Sequence, residues 1–293
     1  KEDFDNALLF ESVPIILGSY LKIIKKIIIF GDPAGERIRY SNNPWNIYII
    51  LKSFILRYLE YSFIRKYSSN SQIAIFGKKH SEDLSYFLRR RIYDIRPFIS
   101  ISSTKISYEN LKNKGKKQLV FNFGGTLATT ASKQALKQIL NDVLPSLKKC
   151  FKKDEYQFKI IGKVSNLYLS ILKKNRNIKF TDIVSDFEEE LSKGDVFFLP
   201  MNYPVGVRTR LCSALAAGNI CIVHNSILGN MPELKKCKSI FFIKSKKDYS
   251  LILKRIRKQK SLYLLKKESI KFFNENYKNN YSSKIILDYF KNY

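Results

Sequence analysis

Two arginines, Arg208 and Arg210, stand two residues apart in a segment whose residue types could bind phosphate. The segment, residues 195–225, reads DVFFLPMNYPVGVRTRLCSALAAGNICIVHN and predicts a buried strand, a loop and a helix that begins near Val207. A helix N-terminus presents unpaired N–H groups and a positive dipole end, which arginines oppose unless an anion lies between them. The spacing favours a phosphate site, and two solvated arginines on a basic protein are the alternative.

A pair of glycines, Gly124 and Gly125, ends a predicted strand in the segment VFNFGGTLATTASKQAL, residues 120–136. Glycines after a strand allow the backbone to approach a ligand closely. The segment lacks the GxGxxG spacing of a dinucleotide site and the GKS or GKT of a P-loop. A ligand-facing glycine loop and an ordinary tight turn between strand and helix therefore both remain open.

Along the whole chain, short apolar runs alternate with helical patterns. The runs are continuous, which is typical of strands buried on both faces of a parallel sheet. Strands are predicted at Ala7–Phe10, Lys26–Phe30, Gln72–Phe76, Pro97–Ile101, Gln118–Phe123, Gln157–Ile161, Ile178–Ile183, Val196–Leu199, Ile220–His224 and Ile240–Ile243. Helices are predicted at Pro44–Tyr67, Ser81–Arg91, Ser132–Lys149, Asn166–Lys174, Arg208–Ala217 (with Gly218 as its stop) and Tyr249–Gln259. The alternation predicts an α/β protein of Rossmann-like, doubly wound parallel sheets, with ligands at the carboxyl ends of the strands.

A polar stretch rich in Lys and Ser, residues 102–117, separates the two series of strands. It predicts a linker between a first lobe at residues 1–105 and a second lobe at residues 106–280, followed by a C-terminal helix at 281–293 that crosses back to the first lobe. The chain begins with Lys1, and its opening residues have neither the basic nor the apolar region of a leader peptide. We therefore expect the first lobe to be incomplete.

The net charge is +28, from 53 Lys and Arg against 25 Asp and Glu. The basic residues are scattered, and the accompanying excess of Ile, Asn, Tyr and Phe is what an AT-rich coding sequence produces. Attraction to an anionic membrane or to anionic substrates is the functional alternative, and nucleic acid ranks last because no basic arm or stripe is present. No transmembrane span is predicted, and the segment Ile47–Ile64 predicts an amphipathic helix packed on a sheet.

The sequence predicts no metal site. Its four cysteines, Cys150, Cys212, Cys221 and Cys237, form no CxxC pair, and no histidine stands at metal-ligand spacing. Cysteines in apolar runs behave as small hydrophobic residues, so we expect free thiols and a reducing compartment.

Three weaker candidates have competing structural interpretations. His80 precedes Ser81, a predicted helix N-cap, and is interpreted as a surface or capping residue. His224 ends a predicted strand, where ligand contact and an ordinary half-buried histidine both remain open. The acidic run at 188–190 is interpreted as the solvated first turn of a helix.

The order of several short segments resembles the C-terminal half of GT-B glycosyltransferases, in particular the retaining, family 4-like group. These segments are FGGT, NDVLPSL, FKIIGK, IKFTDIVSD, DVFFLP and GVRTRLCSALAAGNICIV. Upstream, KKIIIFGDPAGERIRYS is similar to the strand of the first lobe that ends in an active-site loop with an aspartate. The resemblance runs from about Lys25 to the end of the chain and is most specific over residues 121–225.

The resemblance assigns roles to individual residues. It implies that Asp32, Arg208 and Arg210 serve catalysis, with both arginines facing the diphosphate of the donor. It further implies donor contacts for Gly124, Gly125, Thr126, Gly206, Val207, Arg208, Arg210, Leu211, Ser213 and Glu233. Three positions depart from the family pattern: Ser213 replaces a glutamate that holds the donor ribose, Gly31 replaces a histidine, and Pro204 replaces a glycine.

The activity implied by the resemblance is hexosyl-type glycosyl transfer, retaining and independent of metal or bound cofactor, within polysaccharide biosynthesis. The partners would be a nucleotide-diphosphate sugar as donor, a glycan or lipid-linked acceptor and an anionic membrane surface, with no nucleic acid. The implied location is cytoplasmic, peripheral to the inner face of the membrane. The departure at Ser213 motivates an alternative, a catalytically degenerate GT-B-like binding or assembly protein, and the charge motivates a third, a basic nucleic-acid-binding protein.

Overall fold

Two parallel sheets, each with helices packed on it, make up the part of the chain that the computed structural model describes. The described residues are 6–10, 25–41, 45–68, 71–96, 118–127, 129–164, 166–172, 175–259, 261–278 and 281–291. The linker predicted at residues 102–117 and the strand predicted at Pro97–Ile101 lie outside them.

The first sheet contains four parallel strands in the order β1-β2-β3-β4. These strands are β1 (Asn6–Phe10), β2 (Lys25–Phe30), β3 (Gln72–Phe76) and β4 (Tyr93–Ile95). The helices of this lobe are α1 (Ala34–Ser41), α2 (Ile47–Tyr67) and α3 (Lys78–Leu88). The fourth strand, β4, lies at the edge of this sheet and ends at Ile95.

The second sheet contains six parallel strands in the order β10-β9-β8-β5-β6-β7. They are β5 (Leu119–Gly124), β6 (Tyr156–Ile161), β7 (Ile178–Thr181), β8 (Val196–Leu199), β9 (Ile220–His224) and β10 (Ile240–Ile243). The chain winds in one direction from β5 to β7 and then reverses to β8. This doubly wound order opens a crevice at the carboxyl ends of β5 and β8, where ligands bind in such sheets.

Helices cover both faces of the second sheet. They are α4 (Thr130–Gln138), which continues through a π-helical turn (Ile139–Val143) into α5 (Leu144–Cys150), then α6 (Asn166–Leu172), α7 (Phe187–Ser192), α8 (Thr209–Ala216), α9 (Lys246–Arg257), α10 (Tyr263–Phe273), which leads into a second π-helical turn (Asn274–Lys278), and α11 (Tyr281–Lys291). Short 3₁₀ helices lie at Asn225–Gly229 and Pro232–Lys236. The predicted stop at Gly218 is confirmed, because its φ of 75° lies in the left-handed region just after α8.

Aromatic side chains fill the core of the second lobe. Phe121, Phe158 and Phe198, from three neighbouring strands, are fully buried, and the ring centroids of Phe121 and Phe198 lie 5.9 Å apart. Rings at this separation contribute packing beyond the area they bury. The apolar runs of the sequence therefore form one continuous core under the crevice.

The last described helix, α11, returns to the first lobe. Ile286 and Phe290 of α11 pack against Ile27 and Ile29 of β2. At the start of α11, the Ser282 hydroxyl accepts a hydrogen bond from the Arg96 N–H at 2.8 Å and donates to the Arg96 carbonyl at 2.9 Å. These contacts join the two lobes through residues that are 186 positions apart in the sequence.

The helix α2 differs from its prediction. Its inner face buries Ser53, Tyr61 and Ile64, but its outer face is also apolar and is exposed. The exposed side chains are Trp45 just before the helix, Ile47, Tyr48, Leu51, Phe54, Ile55, Tyr58 and Leu59. The prediction of an amphipathic helix was therefore wrong, because large apolar side chains lie on its exposed face as well as on its buried one. None of the described helices is both long and apolar enough to cross a membrane.

The acidic run at 188–190 also differs in part from its prediction. Asp186 caps α7 by accepting a hydrogen bond from the Glu189 N–H at 2.7 Å. Glu190, however, is only 8% exposed and forms ion pairs with Lys159 and Lys193. The solvated interpretation fails for Glu190 because β6 places Lys159 against it.

Substitution of Gly194 by alanine is expected to lower the free energy of unfolding by about 1–3 kcal/mol. A Cβ at this position would overlap the side-chain amide of Asn122, which is buried and donates to the Leu191 carbonyl at 3.1 Å. Urea denaturation measures the effect. Gly229→Ala is the matched control, because its Cβ would meet nothing closer than Lys79 Cδ at 3.7 Å. Equal stability of the two variants would contradict the packing argument.

Candidate functional site

The glycine pair and the arginine pair of the sequence meet at the crevice between β5 and β8. Arg210 donates from Nη1 to the Gly124 carbonyl at 3.4 Å and from Nη2 to the Ser132 hydroxyl at 3.0 Å. Gly125 has a φ of 110°, and a Cβ there would lie 3.4 Å from Arg210 Nε. Glycine is therefore required both by the backbone conformation and by the close approach of the guanidinium.

Arg208 is the N-cap residue of α8 and lies at the other side of the loop. Its Nη2 donates to the Tyr203 carbonyl at 2.5 Å, and its guanidinium carbon lies 5.0 Å from the centroid of the Tyr203 ring. Its backbone N–H donates to the Met231 sulfur at 3.4 Å. These contacts hold the guanidinium at the entrance of the helix, where the dipole of α8 is positive.

The two arginines lie close enough to repel each other. Burial, followed by the charge of Arg208, lowers the pKa of Arg210 to about 10. Burial also lowers the pKa of Arg208, against the opposing effect of the Asp32 carboxylate. Two partly buried cations at a helix N-terminus are unfavourable unless an anion joins them. The arrangement is suited to a group with two negative charges, such as a diphosphate.

Asp32 reaches this site from the first lobe. It follows β2, and its carboxylate lies directly against the α-carbon of Gly206, where a Cβ would overlap it. Gly206 has a φ of 67°, a conformation that glycine adopts without strain. The structure thus brings Asp32, Gly206 and Arg208 together, although Asp32 and Arg208 are 176 residues apart in the sequence.

His80 is buried at the same junction, so its prediction as a surface or capping residue was wrong. The side chain is 1% exposed, and its Nε2 accepts a hydrogen bond from the Gly206 N–H at 3.1 Å. The helix α3 begins at Lys78, with Gly77 rather than Ser81 at the N-cap position. The prediction failed because a local capping pattern carries no information about a contact 126 residues away.

Asn230 completes this polar junction. Its Nδ2 lies 3.2 Å from His80 Nε2 and donates to the Pro204 carbonyl at 2.8 Å. Its Oδ1 accepts from the His80 N–H at 3.4 Å, and its carbonyl accepts from the Lys78 N–H at 3.2 Å. No sequence motif pointed to Asn230, which follows a glycine in a 3₁₀ segment. Its role becomes visible only once the lobes are assembled.

A cavity of about 370 Å³ adjoins the glycine loop. It is lined by Gly125, Thr126, Leu127, Ile161, Gly162, Lys163, Ile183, Val184 and Phe187. Apart from Lys163 and Thr126 these residues are apolar or glycine, so the cavity suits a flat, partly apolar group. Thr126, predicted as a donor contact, lies on its wall.

The comparison of the chain with family models decides which fold family this crevice belongs to. Residues 118–256 match the model described as Glycosyl transferases group 1. Over these residues the second lobe is similar to the glycosyl transferases group 1 family. The match spans β5 to the last turn of α9, and so includes both the glycine loop and the arginine pair.

Solved glycosyltransferases resemble this chain across both of its lobes. WaaG, involved in lipopolysaccharide biosynthesis, covers 90% of this chain, with 77% of its own chain covered, at 12% identity and a TM-score of 0.61. A TarM mutant from S. aureus, in complex with fondaparinux, alpha-GlcNAc-glycerol and UDP, covers 99% of this chain, with 56% of its own chain covered, at 12% identity and a TM-score of 0.68. HepE from Anabaena, in complex with UDP and glucose, covers 98% of this chain, with 78% of its own chain covered, at 10% identity and a TM-score of 0.66.

These likenesses establish the fold, which is GT-B, as the resemblance in the sequence implied. At such low identities they carry no residue-level roles. The chain spans a little over half the length of the TarM chain that it matches. No curated protein matches it significantly in sequence.

Three residues to which the resemblance gives donor contacts are buried or half-buried in the second lobe. Leu211 is fully buried in the core, so its side chain cannot reach a ligand in the crevice. Val207 is half-buried and packs against the same core. Ser213 lies on α8 and is 7% exposed. A hydroxyl there can donate or accept one hydrogen bond, which is less than a carboxylate offers to a ribose diol.

Glu233, predicted as a donor contact, joins the two lobes instead. Its Oε1 accepts a hydrogen bond from the Tyr277 hydroxyl at 2.6 Å and lies 3.9 Å from Arg96 Nε. Arg96 also donates from Nη1 to the Asn276 side-chain oxygen at 2.8 Å. With its carboxylate engaged and its side chain only 13% exposed, Glu233 holds β4 of the first lobe against the π-helical turn that follows α10.

His224 is explained by local structure. Its Nδ1 accepts a hydrogen bond from the Ser226 N–H at 3.2 Å and lies 2.9 Å from the Ser226 hydroxyl. It therefore caps the 3₁₀ helix Asn225–Gly229, the more ordinary of its two interpretations. The four cysteines are buried as free thiols.

The pH dependence of stability is expected to report the buried state of His80. Burial, followed by the charges of Lys79, Arg57 and Arg208, lowers the pKa of His80 from 6.5 to about 4. Between these values the unfolded chain binds more protons, so the stability that His80 contributes is complete above pH 6.5 and is lost as the pH falls towards 4. The loss amounts to about 3 kcal/mol.

Comparison with His80→Gln isolates this contribution. Burial and Glu233 raise the pKa of Asp94 to about 6, which changes stability in the opposite direction, but this effect is common to both proteins and cancels in their difference. Urea denaturation at several pH values should show the advantage of the wild type over His80→Gln shrinking between pH 6.5 and 4. A constant difference would mean that His80 is solvated.

Proposed function

We propose that this protein transfers a sugar from a nucleotide-diphosphate donor to a glycan or lipid-linked acceptor. The observation that carries the proposal is the pair of partly buried arginines at the N-terminus of α8, in contact with the glycine loop of β5. The Asp32 carboxylate acts on Arg208, whereas the charge of Arg208 acts against that of Arg210, and this repulsion favours a bound diphosphate.

In this proposal the donor binds in the crevice in one orientation. The nucleoside would occupy the cavity beside Gly125 and Phe187, and the diphosphate would lie between Arg208 and Arg210. The sugar would then point towards the first lobe, where Asp32 meets Gly206. This order puts the bond between sugar and diphosphate at the junction of the lobes, where an acceptor can approach.

The chemistry requires stabilisation of the leaving diphosphate. As the bond from the sugar to the diphosphate oxygen breaks, negative charge grows on that oxygen, and two guanidiniums and the helix N-terminus can stabilise it without a metal ion. The acceptor hydroxyl would lie near Asp32 and Gly125. Retention of configuration and hexosyl transfer are part of the proposal, and the resemblance to the retaining group supports them.

Relatives with the same fold support this class of substrate. The TarM structure holds UDP and alpha-GlcNAc-glycerol, and the HepE structure holds UDP and glucose. WaaG acts in lipopolysaccharide biosynthesis. A uridine donor and a role in polysaccharide assembly are therefore the first possibilities to test. Ser213 favours the second candidate function, a GT-B protein that keeps the fold and binds without transfer.

We further propose that the protein works at an anionic membrane on the cytoplasmic side. The exposed outer face of α2 is apolar and carries Lys52 and Arg65 beside it, and the chain as a whole has a charge of +28. Basic and apolar residues on one face are suited to the surface of an anionic bilayer. Sedimentation with phosphatidylglycerol vesicles should exceed that with phosphatidylcholine vesicles, and Leu51→Glu should reduce it. Equal sedimentation would argue against the membrane.

Isothermal titration with UDP, GDP and inorganic pyrophosphate tests the donor site. We expect micromolar binding of one nucleotide and at least tenfold weaker binding of pyrophosphate, since pyrophosphate lacks the group that fills the cavity. A screen of nucleotide sugars for release of the nucleotide would follow. Nucleotide binding without release of sugar would favour the degenerate binding protein. Absence of any binding by the folded protein would overturn both proposals about the crevice.

A further inference from the structure

We propose that His80 is a positioning residue that, together with Asn230, holds the loop carrying the donor-binding arginines. The inter-lobe latch consists of His80, Asn230 and Gly206. This inference rests on the proposed function in one respect, because the position of the loop affects ligand binding only if its arginines bind a diphosphate. Its hydrogen bonds, however, can be tested without any ligand.

The geometry of the latch determines the protonation of the histidine. The Gly206 N–H is a fixed donor and lies 3.1 Å from His80 Nε2, so Nε2 must be the unprotonated nitrogen. The Asn230 amide nitrogen, 2.8 Å from the Pro204 carbonyl, is also a donor towards Nε2 at 3.2 Å. The imidazole is therefore neutral and carries its proton on Nδ1.

The latch fixes both ends of a three-residue loop. Asn230 holds the Pro204 carbonyl and His80 holds the Gly206 N–H, while the Asp32 carboxylate lies against the Gly206 α-carbon. Arg208 follows two residues later. Its position at the start of α8 therefore depends on where the first lobe holds Gly206.

The close approach of α3 to Asn230 shows that the latch is built into the backbone. Gly77 has a φ of 101°, and a Cβ there would lie 2.7 Å from Asn230 Oδ1. The next residue, Lys78, donates its N–H to the Asn230 carbonyl at 3.2 Å. The N-terminal turn of α3 and the segment before Pro232 thus pack directly against each other, and a side chain at Gly77 would separate them.

The latch also contains a buried polar group that lowers the stability of the fold. His80 Nδ1 is buried and has no hydrogen-bond partner among the residues described. A buried donor without a partner lowers stability, and an apolar residue would avoid this cost. Departures of this kind are expected where function requires a particular group. Here the required group is an acceptor for the Gly206 N–H.

Three substitutions distinguish the loss of the latch's hydrogen bonds from a change in side-chain volume. His80→Leu removes the acceptor, His80→Gln keeps an acceptor on a side chain of similar reach, and Asn230→Asp keeps the shape but removes the donor to the Pro204 carbonyl and to Nε2. Ser81→Ala is the control, because Ser81 is a buried neighbour that donates to Lys78 within its own helix. Amide hydrogen exchange at Gly206 is the first readout, and UDP affinity is the second.

We expect His80→Leu and Asn230→Asp to speed exchange of the Gly206 N–H at least tenfold and to weaken UDP binding at least threefold. His80→Gln should recover most of both, and Ser81→Ala should change neither. Melting temperatures should fall little in His80→Leu, since removal of the unpartnered Nδ1 offsets the lost bond. Unchanged Gly206 exchange in His80→Leu, or no recovery in His80→Gln, would overturn the latch. If the wild type binds no nucleotide, the proposed function fails while the exchange measurement still decides about the latch.

Discussion

Replacement of Arg210 by alanine is expected to weaken binding of UDP by about ten- to a hundredfold. The estimate is that of one charge-assisted hydrogen bond to a phosphate, about 1.5–3 kcal/mol. Arg210 is the residue that touches both halves of the site, since it contacts the Gly124 carbonyl and the Ser132 hydroxyl while standing next to Arg208. Arg210→Lys should retain part of the affinity, because it keeps the charge and loses the second N–H group.

Loss of Arg210 should cost little stability in the absence of ligand. Burial and the charge of Arg208 already disfavour its protonated form, so removal of the charge offsets the loss of two hydrogen bonds. We expect the free energy of unfolding to change by less than about 1 kcal/mol. Arg65→Ala, which removes an exposed arginine from α2, controls for net charge. If Arg210→Ala bound UDP as tightly as Arg65→Ala, the diphosphate would have to lie elsewhere.

Replacement of Lys266 by methionine is expected to lower the free energy of unfolding by about 3–5 kcal/mol. Lys266 lies on α10 and is 1% exposed, and its Nζ donates to Asp195 Oδ1 at 2.9 Å and to the Gly194 carbonyl at 3.1 Å. Asp195 is fully buried, and its other oxygen accepts the Val120 N–H at 2.9 Å. Removal of the lysine leaves this carboxylate buried without its cation.

Two further variants test the origin of that loss. Lys267→Met changes the exposed lysine next to it and should leave stability nearly unchanged. Asp195→Asn combined with Lys266→Met should recover part of the loss, because the amide oxygen is neutral and can still accept from Val120. Urea denaturation measures all four proteins. Equal losses for Lys266→Met and Lys267→Met would show that the buried pair adds nothing.

The fold was largely predictable because the strands are continuous apolar runs. The segments at Val196–Leu199 and Ile220–His224 are strands with the predicted bounds. Their helix, predicted over Arg208–Ala217, begins one residue later and ends one residue earlier. Such elements are determined by local composition, since a buried parallel strand needs apolar residues on both faces. The short strand Tyr93–Ile95 was not predicted, because three residues carry too weak a pattern.

Within the site, local sequence predicted those residues that belong to a strand end or a helix start. Gly124, Gly125, Arg208 and Arg210 could be proposed because glycine and arginine have unusual costs at such positions. The resemblance added Asp32, which the structure places against Gly206. For Glu233 and Leu211 the resemblance predicts donor contacts, but a motif does not show whether a side chain faces the crevice, the core or the other lobe.

The sequence by itself determined the parallel sheets, the glycine loop and the arginine pair, because each depends on neighbours within a few residues. Only the tertiary structure decided that His80 is buried, that Asn230 holds two segments and that Lys266 pairs with Asp195. Each of these contacts joins residues more than twenty positions apart. Burial and pairing of a polar group depend on what the fold places beside it, and no local pattern of residue types contains that information.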